Sequence, residues 1–175
     1  MKTFLRDTLL TVILTIVIFF VVQATIQVSI VNGSSMEPDL NDGQRIVVNK
    51  AVYYLQEPQR GDIIVFHPPH NPRATPFIKR VIGLPGDTVE IKKGIVYING
   101  YPLEEPYIKE EPTYTLSEKN ITQNNYFVLG DNRNNTSDSH IWGNVPRPNI
   151  VGKAWISIWP PESWGLAPNH TFEEY

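Results

Sequence analysis

An uncharged apolar stretch near the N-terminus restricts more strongly than any other feature what this chain can fold into. Residues 8–24 read TLLTVILTIVIFFVVQA, and residues 25–31 continue the stretch with more polar side chains. A run of about 20 such residues is long enough to cross the roughly 30 Å of hydrocarbon in a bilayer as a helix. We therefore predict one transmembrane helix at residues 8–29, after a short N-terminal segment at residues 1–7.

Basic residues predict the direction in which this helix crosses the membrane. Lys2 and Arg6 precede it, whereas the next basic residue after it is Arg45. Because cytoplasmic flanks carry the excess of Lys and Arg, we expect a single-pass protein with a cytoplasmic N-terminus and the remaining chain on the other side. The alternative is a cleavable signal peptide, for which residues 22–24 offer small side chains. The run, however, exceeds the usual ~7 to 15 apolar residues of such a segment.

Length and composition limit what the rest of the chain can be. At 175 residues the chain suits one domain. The formal charge of -3 leaves no basic footprint, which argues against a nucleic-acid partner. The lack of cysteine excludes disulfides, thiolate nucleophiles and cysteine-based zinc sites, and 15 prolines are incompatible with long soluble helices.

The sequence after the apolar stretch is typical of a mainly β domain. Its strand-like runs are rich in β-branched and aromatic residues and are bounded by Gly, Pro, Asn and Asp. The Asn99-Gly100 pair predicts a turn that closes a hairpin between residues 95 and 103. The predicted strands lie at residues 45–55, 62–67, 77–84, 87–94, 95–100, 125–131 and 153–160.

We place this β domain at residues 30–168, and one segment within it and one after it do not fit the strand pattern. Residues 104–124 are polar and lack periodicity, which predicts a loop or a small subdomain rather than core, within a short insertion at about 91–124. Residues 169–175 are expected to form a loose tail.

A Gly-Ser-Ser turn soon after the apolar stretch offers a candidate nucleophile, Ser35. A serine hydroxyl is a poor nucleophile unless a neighbouring base takes its proton. The turn exposes the hydroxyl, and backbone amides around a glycine turn can point at a developing oxyanion. Most such turns are only turns, so the interpretation depends on finding the base.

The four histidines leave the identity of the base open. His67 and His70 form HPPH, which we interpret as a surface loop rather than a metal site because no third ligand is nearby. His170 lies in the predicted tail, and we assign it no role. His140 stands two residues after Asp138, which is compatible with a Ser-His-Asp arrangement and equally with a structural pair.

Lys79 is the other candidate base. In the predicted strand at 77–84, alternation places Lys79 and Arg80 on opposite faces, each among apolar side chains. Two charges that protect an edge strand are the ordinary interpretation. If Lys79 is buried, however, desolvation could lower its pKa from about 10.4 by roughly 3 units and produce a neutral amine that takes the Ser35 proton. Arg80 would assist by repulsion if it lies close.

Four segments together resemble the type I signal peptidases, the membrane-bound Ser-Lys endopeptidases that remove signal peptides. They are GSSMEPDL (33–40), RGDIIVF (60–66), FIKRVIGLPGD (77–87) and YFVLGDNRNNTSDSHIWG (126–143). With the apolar span they follow the order of the family and account for nearly the whole chain. The resemblance implies a signal-peptidase-like β-barrel or sandwich catalytic domain, with Ser35 as nucleophile and Lys79 as general base.

The chain departs from the family pattern at three supporting positions. Gly33 stands where some relatives have a serine that joins the oxyanion hole, so the hole must rely on the Ser35 amide, with water as a further candidate donor. Thr136 replaces a serine that orients the lysine amine and keeps a hydroxyl for that role. His140 stands where an arginine usually pairs with Asp138, which makes that pair sensitive to pH.

The resemblance also implies a substrate and a location. Val31, Met36, Leu40 and Ile78 match residues that line shallow apolar pockets for small side chains, Ala-x-Ala-like, at the first and third positions before the cut. The expected partners are signal-peptide-bearing preproteins and the lipid bilayer, in a plasma or thylakoid membrane. Neither a metal nor a cofactor is implied.

Two rival hypotheses share parts of this interpretation. A Ser-Lys autoprotease of the repressor-cleaving kind uses the same chemistry, but those proteins are soluble, and the apolar span speaks against them. A catalytically inactive, membrane-anchored module could bind precursors without cutting them. The presence of both Ser35 and Lys79 disfavours this second alternative.

Overall fold

The fold joins one long N-terminal helix to a mainly β domain. A computed structural model describes residues 2–71 and 73–172. The elements, in chain order, are α1 (Lys2–Thr25), β1 (Ile26–Ile30), β2 (Arg45–Asn49), α2 (Val52–Leu55), β3 (Ile63–Phe66), β4 (Phe77–Gly83), β5 (Thr88–Lys92), β6 (Ile95–Ile98), β7 (Tyr101–Pro102), β8 (Leu116–Asn120), β9 (Asn125–Leu129), α3 (Ser139–Trp142), β10 (Val145–Pro146), β11 (Ile150–Trp159) and β12 (Gly165–Leu166).

The N-terminal helix differs in its bounds from the span predicted at residues 8–29. It already includes residues 2–7, and residue 1 lies outside the described part of the chain. It ends at Thr25, because the next residues form β1 and pair with β2 from Ile26↔Asn49 to Ile30↔Arg45. The segment Phe4–Thr25 is long and apolar enough to cross a membrane, and none of it is buried inside the protein.

The larger sheet carries most of the domain. Its strand order is β1-β2-β11-β3-β4-β9-β10, with β12 paired to β11, and all its neighbours are antiparallel. Residues of the central strands β3 and β4 are almost all buried, which explains why β3 is apolar throughout instead of alternating with polar residues. The predicted mainly β class is confirmed.

The predicted strand at residues 45–55 is correct only in its first half. β2 ends at Asn49, whose Oδ1 accepts a hydrogen bond of 3.0 Å from the backbone N of Val52. This side-chain bond satisfies one of the amides at the start of the short helix α2. A local capping contact therefore overrides the β propensity of the Val-Tyr-Tyr sequence.

A second, four-stranded sheet, in the order β7-β6-β5-β8, contains the insertion. The predicted hairpin is present, with Ile98 opposite Tyr101 across a turn in which Asn99 and Gly100 both have positive φ. The prediction that residues 104–124 stay out of the core is wrong. β8 pairs with β5, and Leu116 and Ile121 are buried in the core between this sheet and β9. Leu116 and Ile121 stand five positions apart among polar residues, a spacing that gives no periodic signal.

The predicted loose tail is also wrong for residues 169–172, and residues 173–175 lie outside the described part. Asn169 Oδ1 accepts a hydrogen bond of 2.8 Å from the backbone N of Ile63. The His170 ring stacks on Tyr107 with 4.6 Å between centroids. These contacts join residues far apart in sequence, so no local pattern could indicate them.

Candidate active site

The loop between β1 and β2 holds Ser35 in a fixed turn. Two backbone hydrogen bonds close the base of the loop, Val31 N to Gln44 O at 2.8 Å and Gly43 N to Val31 O at 2.9 Å. At the tip, the carbonyl of Ser34 accepts a hydrogen bond of 3.0 Å from Asn132 Nδ2. The turn therefore presents a half-buried Ser35 toward strand β4.

Lys79 reaches Ser35 from β4. Its Nζ lies 2.7 Å from Ser35 Oγ and 3.0 Å from the carbonyl oxygen of Ile78. Lys79 is only 5% exposed, and this burial lowers its pKa to about 8, against the opposing effect of the Asp138 and Asp131 carboxylates. A neutral amine at this distance can accept the hydroxyl proton of Ser35.

The structure does not bring Arg80 to Ser35 and Lys79. As alternation requires, its side chain lies on the opposite face of β4. There it bonds to both carboxylate oxygens of Asp131, at 2.9 and 2.7 Å, and to Asp39 at 2.7 Å. The predicted repulsion is therefore wrong, because two carboxylates compensate this charge and burial controls the pKa of Lys79. His170, to which we assigned no role, joins this ion network at 3.3 Å from Asp39.

Asp138 is a buried acceptor for three hydrogen bonds beside the pair. Its Oδ1 lies 2.6 Å from His140 Nδ1 and 3.1 Å from the backbone N of His140, which caps α3. Its Oδ2 accepts a hydrogen bond of 3.0 Å from Gly130 N. His140 also stacks on Tyr114 with 3.9 Å between centroids. Among the described residues no histidine bonds to Ser35 Oγ, which disfavours a Ser-His-Asp arrangement and leaves His140 as a partner of Asp138.

Thr136 does not make the expected hydrogen bond to the lysine amine. Its Oγ1 is buried and bonds to no other residue in the described ranges. The carbonyl of Ile78 orients the Lys79 amine instead.

Gly130 is a site residue that the sequence analysis missed. A Cβ at this position would lie 2.4 Å from both Ser35 O and Thr136 Oγ1, so only glycine permits the close approach of these two segments. The signal that could have indicated it was the glycine at the end of a strand, next to Asp131 and Asn132.

A groove with a volume of about 750 Å³ passes Ser35 and Lys79. Val31, Met36 and Ile78 line it, as predicted for the pockets. Leu40 does not, because it is fully buried in the core cluster beneath the loop. The groove also includes Asn32 and Phe77, which the sequence analysis did not identify.

The backbone amides near Ser35 differ in their availability. Gly33, at φ +81°, donates its N–H to Asp42 Oδ1 at 2.6 Å, so this amide is occupied. The N–H of Ser35 itself donates to no group in the part of the chain that the structure describes. Of these two amides, only that of Ser35 can bind an oxyanion.

The HPPH segment does not contribute to this site. His70 Nε2 lies 3.1 Å from the carbonyl oxygen of Trp142, and His67 Nδ1 is buried without a hydrogen-bond partner in the described ranges. Within those ranges no group of three His, Cys, Asp or Glu residues could hold a metal ion.

A serine hydroxyl 2.7 Å from a buried lysine amine, beside a groove in a mainly β domain, is the arrangement expected of a serine hydrolase. Comparison with known proteins agrees with this class. The family model of signal peptidase, peptidase S26, matches residues 4–159.

Three similar proteins extend the match. The probable signal peptidase I-1 of Synechocystis sp. is 48% identical over 146 residues, which cover 80% of this chain and 74% of that protein. The thylakoidal processing peptidase 1 of Arabidopsis thaliana is 36% identical over 138 residues, covering 74% of this chain and 41% of that protein. The crystal structure of a signal peptidase I from Enterococcus faecalis V583 is 36% identical with a TM-score of 0.50, covering 56% of this chain and 97% of that one.

The chain belongs to the signal peptidase family, peptidase S26. It is therefore a serine peptidase of the kind that removes signal peptides from preproteins.

Proposed function

We propose that this chain cleaves signal peptides with Ser35 as nucleophile and Lys79 as general base. The observation that carries the proposal is the 2.7 Å separation of Lys79 Nζ and Ser35 Oγ, together with the burial of the amine. Lys79 takes the hydroxyl proton while Ser35 Oγ attacks the carbonyl carbon of the scissile bond. The protonated amine then gives its proton to the leaving amine, and an acyl-enzyme forms. The same amine, neutral again, activates the water that hydrolyses the ester.

The backbone N–H of Ser35 stabilises the oxyanion in this mechanism. It is the amide of the nucleophile itself, so it stays within reach of the carbonyl oxygen as the new bond forms. Its lack of a partner among the described residues supports this role. Gly33 does not assist directly, since its N–H is bonded to Asp42.

The substrate binds as an extended strand across the groove. β4 pairs with β9 only from Arg80 onward, so Phe77 and Ile78 keep an open edge on that side. Residues 31–33 line the groove on its other side. An extended peptide can add a strand to such an edge, with pockets for alternate side chains. Val31, Met36 and Ile78 line the groove with apolar side chains, and together with the family resemblance this supports cleavage after small-x-small sequences.

The helix α1 anchors the enzyme so that its site faces the emerging precursor. Lys2 and Arg6 favour a cytoplasmic N-terminus and a catalytic domain on the opposite side. From Thr25 to Ser35 the chain advances 35 − 25 = 10 residues, a reach of at most about 35 Å. Ser35 therefore stays near the bilayer from which a signal peptide emerges. The similarity to cyanobacterial and thylakoidal enzymes supports a plasma or thylakoid membrane.

Purified full-length protein in detergent, mixed with a precursor that carries an Ala-x-Ala site, tests this function. We expect a mature product with the wild type and none with Ser35→Ala or Lys79→Ala. Lys92→Ala is the matched control, because this lysine is solvent-exposed on β5 and should leave cleavage unchanged. Full cleavage by Lys79→Ala would contradict the mechanism.

The specificity has its own test. Replacing the alanine directly before the cut by leucine should abolish cleavage, since the groove accepts small residues there. Equal cleavage of both precursors would contradict the proposed pockets. Precursor binding without cleavage by the wild type, and without labelling of Ser35 by an acylating inhibitor, would favour the inactive binding module.

A further inference from the structure

The backbone of residues 31–33 has one side turned to its own loop and one side turned to the groove. Val31 uses both its N–H and its C=O within the loop, toward Gln44 and Gly43 respectively. The peptide unit between Val31 and Asn32 is planar and trans, and Gly43 N–H holds its carbonyl, so the N–H of Asn32 points to the side away from Gly43 and Gln44. That side is the groove, since Asn32 lines it and those two residues do not.

Asp42 determines the direction of the Asn32 carbonyl. Its Oδ1 accepts a charge-assisted hydrogen bond of 2.6 Å from Gly33 N–H. The peptide unit between Asn32 and Gly33 is planar and trans, so holding the N–H toward Asp42 directs the C=O to the opposite side. Asp42 is not a groove residue, and the carbonyl accordingly points into the groove.

This peptide needs such a restraint because of its position. Gly33 has a φ of +81°, and a Cβ built there would meet no atom within 4 Å. A glycine in open space can rotate its preceding peptide at little cost. Among the described residues, Asp42 provides the only hydrogen bond to Gly33 N–H.

We infer that Asp42 is a substrate-positioning residue, which fixes the Asn32 carbonyl as an acceptor for a backbone N–H of the substrate strand. The N–H of Asn32 already points into the groove, because the Val31 carbonyl of the same peptide unit is held by Gly43. Asn32 thus exchanges two hydrogen bonds with one residue of the substrate. This inference rests on the proposed function, and it assigns part of the substrate affinity to a carboxylate that touches neither the substrate nor Ser35.

Peptide substrates with a methylated backbone nitrogen test this assignment. The methyl group removes one N–H, and it is placed in turn at the first, second and third residues before the cut. With the wild type, methylation at one of these positions should lower kcat/KM roughly tenfold, the equivalent of one lost hydrogen bond. Asp42→Ala should lower kcat/KM for the unmethylated peptide by a similar factor, mainly through KM.

The combination of the two changes separates positioning from a general structural effect. If Asp42 acts through the Asn32 carbonyl, methylation at the sensitive position should lower kcat/KM far less in Asp42→Ala than in the wild type. Asp42→Asn keeps an acceptor oxygen for Gly33 N–H and should therefore restore part of the sensitivity of kcat/KM to methylation. Asn41→Ala, in the same loop, is the matched control and should behave as the wild type. If the factor lost in kcat/KM on methylation is the same in Asp42→Ala as in the wild type at all three positions, the inference is wrong.

Binding measurements keep this test independent of catalysis. The same peptides are titrated against Ser35→Ala and against Ser35→Ala/Asp42→Ala by fluorescence anisotropy, with the thermal unfolding midpoint as a check of folding. Cleavage by the wild type and its loss in Lys79→Ala decide the proposed function. The coupling between Asp42 and the methyl group decides this inference, whether or not cleavage is observed.

Discussion

The pH dependence of precursor cleavage tests the buried lysine most directly. Burial lowers the pKa of Lys79 from 10.5 to about 8, and only the neutral amine can accept the Ser35 proton. The neutral form disappears as the pH falls through this pKa. The rate constant kcat/KM should therefore be maximal above pH 8 and decrease below it.

The size of the effect follows from the shifted pKa. With a pKa of about 8, roughly one tenth of the amines are neutral at pH 7 and about one hundredth at pH 6. A lysine with the ordinary pKa of 10.5 would be neutral in only about one molecule in 3,000 at pH 7, so burial increases the reactive fraction roughly 300-fold. Below pH 7 we expect kcat/KM to fall about tenfold per pH unit.

A fluorogenic precursor peptide, cleaved by the full-length protein in detergent between pH 5.5 and 9.5, provides the measurement. The ratio kcat/KM is the appropriate quantity because it reports the ionisation of the free enzyme. Acylation of Ser35 by a reagent without a titratable group, followed over the same range, separates the ionisation of Lys79 from that of the substrate.

Two results would refute this reasoning. A rate that stays constant from pH 6 to pH 9 would exclude a base whose pKa is about 8. A decrease with a midpoint near the ordinary histidine pKa of about 6.5, lost on His140→Gln, would identify histidine as the base. In either case the contact between Lys79 and Ser35 would be structural only.

Three further predictions use the charges around the site. His140→Arg places a permanent positive charge beside Asp138 and so weakens the electrostatic effect by which this carboxylate raises the pKa of Lys79. The decrease of kcat/KM on the acid side should therefore move to lower pH. An unchanged pH profile would contradict this coupling. Lys79→Met removes a buried amine whose pKa is lowered from 10.5 to about 8 on folding. This difference corresponds to at most about 3 kcal/mol, by which the substitution should increase the free energy of unfolding. That gain should be complete below pH 8 and absent above pH 10.5, as measured by thermal unfolding in detergent. Arg80→Ala leaves Asp131 buried without its ionic partner and should destabilise the domain by roughly 3 to 5 kcal/mol, whereas simultaneous replacement of Asp131 should restore part of this loss.

Much of the fold follows from local patterns. The apolar run predicts a membrane-spanning helix because it is long enough and carries no charged side chain. Alternation in residues 77–84 predicts the strand that places Lys79 and Arg80 on opposite faces. The helix end was misplaced because pairing between β1 and β2 decides it. The ordered segment at 169–172 was missed for the same reason, since the hydrogen bond from Ile63 N–H to Asn169 Oδ1 joins residues 106 positions apart.

In the candidate site, too, local patterns identified some residues, whereas the roles of others depend on packing between distant segments. Ser35 and Lys79 could be identified from a glycine turn, a cation among apolar residues and the resemblance to a family. Sequence could not place Leu40 beneath the groove instead of in it, or give Gly130 its role, because both depend on how closely separate segments pack. It also could not indicate that the Lys79 amine donates a hydrogen bond to the Ile78 carbonyl and makes none with Thr136.

The apolar span, the mainly β domain and the residue types capable of the chemistry could be identified before the structure was known, because each depends on neighbours along the chain. Folding was needed to bring a buried amine within hydrogen-bond distance of a hydroxyl 44 residues away. It also decided that Asp42 holds the Gly33 amide. A pKa and the direction of a peptide unit depend on atoms brought together by folding, and no segment of sequence contains that information.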